Sequence, residues 1–400
     1  MRTPEEAVSI ILERAQVARE REAVPLAEAA GRVLAREIRS DLDLPPFEKS
    51  AMDGYAVRSS EVSGESHLRR IGESRAGEPW TAAVGPGECV AIYTGGELPP
   101  DCDAVVMVEK SRRDGDTVVL TDDPQPGQHV CHRGEDIREG ECVLSPGRRL
   151  AARDLSLLAS VGCDPVQVWR RPRVSILTTG DELVRPAEKP GPGQIREGNT
   201  LHLAAMARAA GAEVRACGVV PDDPLSLREA FAEALEKGDV LISTGGVSMG
   251  EYDFVGAALK DCGVDEVFHK VAIKPGKPVW FGAQHDKLVF GLPGNPVSCL
   301  VGHEVFVRPA LAKLGGAEES EWAPRITRAR WMGDPPRAID RQQNLPVELT
   351  PGADGIALAR PVRWKGSADL VGLSRAAALA IVPANQTLET GALIALRPLG

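Results

Sequence analysis

The sequence predicts a multidomain protein of the α/β plus β class. Three stretches of different character support this: residues 172–315 alternate strand-like and helix-like segments, residues 41–150 hold short β-type runs between Gly, Pro and Asp, and the last 80 residues are again short β runs. With 400 residues, 43% of them hydrophobic, the chain is long enough for two to four domains with separate cores.

The chain begins with a predicted helix. Thr3 can cap it, Pro4 suits the first helical position, and Glu6 completes a T-x-x-E capping box before the stretch AVSIILERA. A second helical stretch, AARDLSLLASVG, follows the β-rich residues at 151–162. If the two helices pack together, the β-rich part is an insertion. We therefore expect an elongated helical linker domain with an inserted β-rich domain, with the bounds 1–48 and 146–171 for the linker and 49–145 for the insertion.

Residues 172–320 are expected to form a central, doubly wound α/β domain. Its alternating segments are RVSILTTG, NTLHLAAMARAAG, EVRACGVV, DPLSLREAFAEALEKG and DVLISTGG. In such sheets, ligands bind beyond the carboxyl ends of the strands. The polar loops TTGDE (178–182), STGGVSMGEYD (243–253) and PGNPVS (293–298) follow predicted strands, so we expect one site at that edge.

These loops have features that suit phosphate. Gly245, Gly246 and Gly294 can present bare backbone N–H groups, and a helix starting near Asn295 adds its positive end. A glycine-rich turn taken alone is more often a simple connection. The prediction therefore depends on the loops occurring together, and on the lysine-rich segment beside them.

The segment HKVAIKPGKP (269–278) concentrates positive charge in an acidic chain. In a strand, Lys270, Ala272 and Lys274 would share one face, with Val271 and Ile273 on the buried face. The prolines and Gly276 would then end the strand and leave Lys277 just beyond it. Like charges held together favour a bound anion, although an isolated lysine-rich strand end can also be merely solvated.

Four acids are predicted at the same edge: Asp181, Glu182, Asp222 and Asp253. Carboxylates beside phosphates commonly bind Mg²⁺. The alternative is helix N-capping, since Asp181, Asp222 and Asp253 each stand near a predicted helix start.

Composition excludes several classes of protein. A net charge of −10 and a pI near 5.4 argue against a general nucleic-acid or membrane-surface binder. No run of about 18 apolar residues occurs, and the N-terminus lacks the pattern of a signal peptide, so we expect a cytoplasmic protein. The eight scattered cysteines include no CxxC pair and fit buried thiols better than a disulfide framework or a zinc site.

Seven motifs together resemble the molybdopterin molybdenumtransferase family, to which the gephyrin E domain belongs. They are PFEKSAMDGYAV, YTGGELPPDCDAVVMVE, RGEDI, TTGDEL, STGGVSMGEYDF, IKPGKPVWFG and GLPGNPVS, in the family's order along nearly the whole chain. The resemblance implies an elongated homodimer with four domains per chain. It also implies insertion of molybdate into adenylylated molybdopterin, with Mg²⁺ assistance, to release AMP and form the molybdenum cofactor.

The resemblance also implies residue roles. Lys274 and Lys277 would contact molybdate, Lys270 would contact phosphate or pterin, and Glu182, Asp222 and Asp253 would hold Mg²⁺ or position the adenylate. Asp53, which also fits an Asp-Gly turn, would reach the partner chain's site together with Thr94 and Asp136. The expected catalytic residues are Asp53, Glu182, Asp222, Asp253, Lys270 and Lys274. The expected substrate-binding residues are Thr94, Asp136, Gly245, Gly246, Ser248, Lys277, Pro278, Gly294, Asn295, Ser298 and Ser367.

The C-terminal residues 321–400 are expected to form a small β-barrel from the runs LPVEL, GIALARPV, AALAIVP and GALIALRPL. WKGSADL matches the family's GS turn, and its Ser367 is expected to approach molybdate. The chain departs from the family at Pro346, where several relatives carry an anion-binding arginine. Either Arg341, Arg363 or Lys365 supplies that charge by another route, or the molybdate site is weaker than in relatives.

Two other functions fit parts of the sequence. A molybdopterin adenylyltransferase has a similar α/β domain but usually lacks the β-rich insertion and the barrel. A non-catalytic molybdopterin carrier or scaffold would need neither the lysines nor the acids. The sequence does not distinguish molybdate from tungstate as the natural anion, and it leaves contacts with other cofactor-assembly proteins open.

Overall fold

The computed structural model describes residues 1–17, 20–246, 254–363 and 365–399. They form two compact units. The first comprises Met1–Arg36, Pro146–Ala152 and Pro165–Gly400, and the second comprises Glu37–Ser145 and Arg153–Asp164. The finer division into four domains stays a prediction. No helix in the described ranges is long and apolar enough to cross a membrane.

The N-terminal helix α1 (Pro4–Arg14) has the predicted capping box. The Thr3 backbone N–H donates to the Glu6 carboxylate at 2.9 Å, and the Glu6 backbone N–H donates to Thr3 Oγ1 at 3.2 Å. Ala7 and Ile11 are buried and join the core of the α/β domain. Strand β1 (Arg21–Val24) follows. The first helix is thus part of the first unit through its apolar face.

The second unit is β-rich, as the sequence predicts. Its core contains Tyr55, Val57, Leu68, Val106 and Leu120. Its elements are β2 (Ile38–Arg39), β3 (Lys49–Ser50), β4 (Gly54–Val57), β5 (Glu65–Ser74), β6 (Glu88–Ile92), β7 (Ala104–Met107), β8 (Ser111–Asp114), β9 (Thr117–Thr121), β10 (Val130–Cys131), β11 (Cys142–Leu144) and α2 (Ala152–Ser160). Six of these strands form one sheet in the order β7-β4-β6-β5-β9-β8, in which only β5 and β6 are parallel.

Returning to the first unit, β12 (Val166–Trp169) pairs with β1 antiparallel and leads into the α/β domain. The elements of that domain are β13 (Arg173–Thr179), β14 (Leu183–Val184), β15 (Ile195–Arg196), α3 (Asn199–Ala209), β16 (Glu213–Val220), α4 (Pro224–Lys237), β17 (Val240–Thr244), α5 (Phe254–Asp261), β18 (Asp265–His269), β19 (Ile273–Lys274), β20 (Trp280–Gln284), β21 (Lys287–Leu292), α6 (Pro296–Gly302), α7 (Arg308–Leu314) and α8 (Glu319–Trp322). A π-helical turn at His303–Val307 joins α6 to α7.

The α/β sheet has six strands in the order β16-β13-β17-β21-β20-β18. Strands β16, β13, β17 and β21 are parallel, and β20 is antiparallel to both of its neighbours. The central strands are buried on both faces because helices cover them, which explains their continuous apolar runs. The predicted doubly wound domain is confirmed.

The C-terminal strands are β22 (Thr327–Trp331), β23 (Gln342–Thr350), β24 (Leu358–Pro361), β25 (Ala378–Val382) and β26 (Leu393–Pro398), with α9 (Leu370–Arg375) before β25. They pair in the cycle β23-β24-β22-β26-β25 and back to β23, so the five strands close into a barrel. Trp331, Val347 and Leu396 lie in its core. The predicted small barrel, and with it the predicted fold class, is confirmed.

The prediction that KVAIK forms one regular strand is wrong. Strand β18 ends at His269, Lys270 has a left-handed φ of 71°, and β19 contains only Ile273–Lys274. The prediction that Val271 and Ile273 point into the core is confirmed, since both side chains are fully buried. The chain turns at Lys270 because the backbone N–H groups of Lys270 and Val271 donate to carbonyls within residues 277–279 instead of extending the strand pairing.

Candidate functional site

Four parallel strands of the α/β sheet end at one edge, and polar loops follow each of them. Strand β13 is followed by Gly180–Glu182, β16 by Asp222, β17 by Gly245–Gly246, and β21 by Gly294–Asn295. Parallel strands place their carboxyl ends together, so these predicted site residues share one edge of the sheet. Ser248 and Asp253 lie outside the described residues.

Glycines allow these loops to pack backbone against backbone. Gly245 has a φ of +91°, and a Cβ there would lie 2.4 Å from the Thr179 carbonyl oxygen. A Cβ on Gly294 would lie 3.6 Å from the Gly245 Cα, so the loops after β17 and β21 are in contact. The Gly245 N–H donates to the Leu292 carbonyl at 3.3 Å, so it is not one of the bare N–H groups expected from the glycine-rich motifs.

The acids gather around Asp222, which is half-buried. Its backbone N–H donates to Asp181 Oδ1 at 3.2 Å. Burial raises the pKa of Asp222, and the neighbouring carboxylates of Asp181 and Glu182 raise it further. Helix capping does not explain Asp222, because Asp223 is the N-cap of α4 and accepts from the Ser226 N–H at 2.9 Å.

The predicted Mg²⁺ ligands fit one mode of binding. Within the described ranges, no group of three or more His, Cys, Asp or Glu side chains is placed to hold a metal ion alone. Mg²⁺ usually binds through one or two carboxylates together with substrate phosphates and water. Asp222 and its acidic neighbours match that donor set, because burial and, to a smaller extent, the carboxylates of Asp181 and Glu182 raise the pKa of Asp222, and a bound cation would favour its ionised form.

The lysine loop, residues Lys270–Val279, is closed by its own backbone. The Lys270 N–H donates to the Val279 carbonyl at 2.9 Å, and the Val271 N–H donates to the Lys277 carbonyl at 3.0 Å. Lys274 and Lys277 are exposed and Lys270 is half-buried. None of the three ammonium groups forms an ion pair or hydrogen bond with a described residue. The lysine loop thus carries three cations that no described residue pairs with.

Two neighbours fix the position of this loop. The Ala272 N–H donates to the Arg2 carbonyl at 2.8 Å, and β19 pairs in parallel with barrel strand β23, Ile273 beside Gln342 and Lys274 beside Gln343. The lysines are therefore held where the α/β domain meets the barrel.

The barrel also contacts the loop after β21. Asn295 Nδ2 donates to Ser367 Oγ at 2.8 Å, and the Val297 N–H donates to the Ser367 carbonyl at 3.0 Å. Ser298 is buried within α6, and Pro278 is half-buried in the lysine loop. The structure thus brings Asn295 and Ser367 together, 72 positions apart in the chain.

Pro346 is buried in β23, and its carbonyl accepts from the Val362 N–H at 3.0 Å. Of the three residues considered as replacements for the family's arginine, Arg341 has Nε 3.4 Å from Asp340 Oδ1. Arg363 and Lys365 are exposed. Pro346 therefore contributes neither a charge nor a backbone N–H to an anion site.

The second unit contains the other predicted site residues. Asp53 Oδ1 accepts from the Thr94 N–H at 2.7 Å and from Thr94 Oγ1 at 2.8 Å. These two bonds lower the pKa of Asp53, the backbone bond contributing most. Gly54 opens β4 rather than a turn, and a Cβ there would lie 2.0 Å from the Val106 carbonyl oxygen. Asp136 is exposed and forms no side-chain bond with the described residues.

Sequence reasoning missed Asn199. Its Nδ2 donates to the Gly294 carbonyl at 2.6 Å, which ties the first turn of α3 to the loop after β21. In the sequence, Asn199 is typical of the start of a helix, and nothing there indicates a further contact. Its position in α3, the helix after the TTGDE loop, was the available signal.

Family profiles match three parts of the chain. The MoeA N-terminal region (domain I and II) matches residues 2–162, the "Probable molybdopterin binding domain" matches 175–313, and the MoeA C-terminal region (domain IV) matches 328–399. The central match defines the class, that of proteins with a molybdopterin-binding-type α/β domain. The two flanking matches, and relatives that are similar over most of the chain, identify the family: the chain belongs to the molybdopterin molybdenumtransferase family.

Relatives and solved structures agree over most of the chain. The chain is 35% identical over 375 residues to the molybdopterin molybdenumtransferase of a Nostoc species, covering 92% of this chain and 86% of that protein. It is 38% identical over 328 residues to the Haemophilus influenzae enzyme, covering 82% and 81%. A crystal structure of the molybdopterin biosynthesis MoeA protein from Pyrococcus horikoshii OT3 matches all of both chains, with 30% identity and a TM-score of 0.86.

Proposed function

We propose that this chain is a transferase of molybdenum cofactor biosynthesis, which inserts molybdenum from molybdate into adenylylated molybdopterin and releases AMP. Family membership supports the reaction class. The observation that carries the proposal is the lysine loop, with three ammonium groups that no described residue neutralises. Such a loop needs an anion, and this reaction brings several.

Molybdate is a dianion, and adenylylated molybdopterin carries two phosphates. Compact ammonium groups suit these ligands because each offers three donors without imposing one fixed planar geometry. We assign Lys274 and Lys277 to molybdate, with Ser367 of the barrel as a further contact and Pro278 and Ser298 lining the pocket. We assign Lys270 to phosphate or pterin.

The glycine loops would bind the phosphate-containing substrate. Gly245 and Gly294 are in contact through their backbones, and because the Gly245 N–H donates to the Leu292 carbonyl at 3.3 Å, Gly245 would shape the site while Gly294 would supply an N–H donor. Gly246, Asn295 and Ser248 complete the assigned set. Backbone N–H donors held in fixed positions stabilise phosphate charge without reorganisation.

Glu182, Asp222 and Asp253 are the proposed Mg²⁺ ligands, shared with a substrate phosphate. Bound there, Mg²⁺ would neutralise charge that develops as the phosphoanhydride bond to AMP breaks. The surroundings of Asp222 support this assignment, because burial and the nearby carboxylates of Asp181 and Glu182 raise its pKa, and a divalent cation would stabilise the ionised carboxylates.

We further propose a homodimer in which Asp53, Thr94 and Asp136 complete the partner's site. The support lies within the second unit. Asp53 is held by two hydrogen bonds from Thr94 although its side chain is exposed. An exposed carboxylate with a fixed orientation suits a contact made outside its own unit. We propose a cytoplasmic enzyme that acts without nucleic acid and can contact other cofactor-assembly proteins.

The test is AMP release from adenylylated molybdopterin and Mg²⁺, measured with and without molybdate. We expect release to require molybdate. A parallel reaction with molybdopterin and ATP tests the adenylyltransferase alternative, which predicts adenylylation there. Binding of the adenylylated substrate without AMP release in either case would instead support a carrier or scaffold.

A further inference from the structure

A cavity of about 300 Å³ lies in the first unit, lined by α3, the helical stretch from α6 to α7 and the C-terminal residues. None of its lining residues is a predicted site residue. Its apolar wall includes Met206, Leu300 and Leu399, and its polar wall carries arginines, histidines and glutamates. A mixed wall of this kind suits a small organic ligand with a charged group.

Positive charge exceeds negative charge around this cavity. Arg149, Arg308 and Arg325 line it, and Arg397 is buried just before the lining residues Pro398 and Leu399. The acids are Glu304 and Glu321. Among the lining residues, three guanidinium groups against two carboxylates leave one positive charge in excess.

The glutamates compensate these arginines unevenly. Glu321 forms ion pairs with two arginines, its Oε2 lying 3.3 Å from Arg149 Nε and 3.4 Å from Arg325 Nη2. Glu304 lies 3.6 Å from Arg308 Nε, beyond a good hydrogen bond. Burial lowers the pKa of Arg397 to about 10, and Arg308 adds to the decrease.

Buried donors on this wall lack acceptors. Arg308 Nε, two nitrogens of Arg397 and His303 Nε2 have no hydrogen-bond partner in the described part of the chain. The other two Arg308 nitrogens donate to the Glu321 and Ala323 carbonyls at 3.0 and 3.3 Å, and His303 Nδ1 lies 3.5 Å from Glu304 Oε1. His303 is 1% exposed, Arg308 6% and Arg397 7%. Buried polar groups are normally paired, so several unpaired donors at one cavity indicate a missing acceptor.

We propose that this cavity binds a small organic carboxylate, with its skeleton against Met206 and Leu399 and its acid function toward Arg308 and Arg325. The excess of positive charge and the unpaired Arg308 Nε favour an anion, and the apolar wall distinguishes an organic acid from an inorganic ion. The site is independent of the proposed reaction, since it shares no residue with it.

Calorimetric titration tests this with succinate, phthalate and inorganic phosphate, each at an ionic strength matched with sodium chloride. The protein carries Lys274→Ala and Lys277→Ala, so that anion binding at the lysine loop does not contribute. We expect the dicarboxylates to bind, and Arg325→Gln or Arg149→Gln to weaken binding roughly tenfold, the effect of losing a hydrogen bond to a charged group.

Arg328→Gln is the matched control, because Arg328 is an exposed arginine on barrel strand β22 and does not line the cavity. It is expected to leave binding unchanged. Absence of dicarboxylate binding would overturn the proposal, as would equal weakening by Arg325→Gln and Arg328→Gln. Phosphate binding as tight as that of both dicarboxylates would overturn the assignment to an organic acid.

Discussion

Asn295 donates a side-chain hydrogen bond to Ser367 Oγ at 2.8 Å, and so connects the loop after β21 to the C-terminal barrel. A second bond, from the Val297 N–H to the Ser367 carbonyl, fixes the same turn. The barrel is therefore held against the carboxyl edge of the α/β sheet at Ser367, the residue proposed to contact molybdate.

Ser367→Ala is expected to raise the molybdate KM and to lower the free energy of unfolding by about 1 kcal/mol, the usual worth of one hydrogen bond. Asn295→Ala should lower the free energy of unfolding less in the Ser367→Ala background than in the wild type, because the Asn295–Ser367 hydrogen bond is already lost there. A double-mutant cycle in urea measures this coupling. Ser374→Ala, which removes an exposed hydroxyl in α9, is the control, and strictly additive Asn295 and Ser367 effects would contradict the coupling.

Lys274→Ala is expected to reduce molybdate-dependent turnover at least tenfold, because an exposed ammonium with no described partner is lost from the anion pocket. Its unfolding midpoint should stay near wild type, since the side chain carries little packing. Steady-state kinetics and thermal unfolding provide the two readouts. Lys260→Ala removes an exposed lysine from the last turn of α5 as a matched control, and unchanged turnover in Lys274→Ala would remove the molybdate assignment.

Asp222→Asn is expected to raise thermal stability near neutral pH while lowering turnover. The folded-state pKa of Asp222 is raised, so the folded protein binds this proton more tightly than the unfolded chain does. Above the raised pKa the ionised group therefore costs stability, and that cost shrinks as the pH falls through the folded pKa and is absent below 3.8, the ordinary value.

Thermal unfolding from pH 7 to pH 3 measures the effect of this substitution. Asp223→Ala offers an opposing comparison one residue away, because Asp223 caps α4 and its pKa is lowered by the bond from Ser226. That variant should lose stability at neutral pH. An Asp222→Asn protein that is less stable than wild type at pH 7 would contradict the electrostatic account.

Thr94→Val is expected to move the pKa of Asp53 part of the way back toward its ordinary value. The substitution removes the hydroxyl bond to Asp53 Oδ1 and keeps the backbone bond, which contributes more to the lowered pKa. An NMR titration of the Asp53 carboxyl carbon measures the change, and Thr94→Ser should retain the wild-type value. An unaltered pKa in Thr94→Val would show that the hydroxyl does not stabilise the carboxylate.

Gly245→Ala is expected to destabilise the protein by about 1–3 kcal/mol, as overpacking of a tight site does. The new Cβ would lie 2.4 Å from the Thr179 carbonyl, and the backbone φ of +91° is unfavourable for alanine. Gly193→Ala is a useful comparison, because its φ is +79° but its Cβ would meet nothing within 4 Å. Urea unfolding of both variants separates the close contact from the backbone conformation, and equal losses would contradict the packing argument.

Much of the fold follows from periodicity. The strands β13, β17 and β21 are runs of apolar residues and their helices have a clear 3.6-residue pattern, so the parallel sheet and its ligand-binding edge can be predicted. Strand β22 was not predicted because TRARW carries two arginines and has no clear apolar pattern. Its inward residues, Ala329 and Trp331, are buried only because the barrel closes around them.

The site was less predictable where tertiary contacts determine the local backbone. Lys270 leaves the strand because the loop bonds to Val279 and Lys277, neither of which a periodicity argument considers. Asp222 and Asp223 are adjacent acids, and only the geometry assigns the helix cap to Asp223. Asn199 acts through a residue 95 positions away, a contact that one sequence cannot reveal.

The most direct test of the proposed reaction is the ratio of molybdenum bound to the pterin product to AMP released, measured in one reaction with adenylylated molybdopterin, Mg²⁺ and molybdate. We predict about one molybdenum per AMP, because release of AMP and insertion of the metal belong to one reaction at one site. AMP released in the presence of molybdate without molybdenum in the pterin product would contradict the central claim.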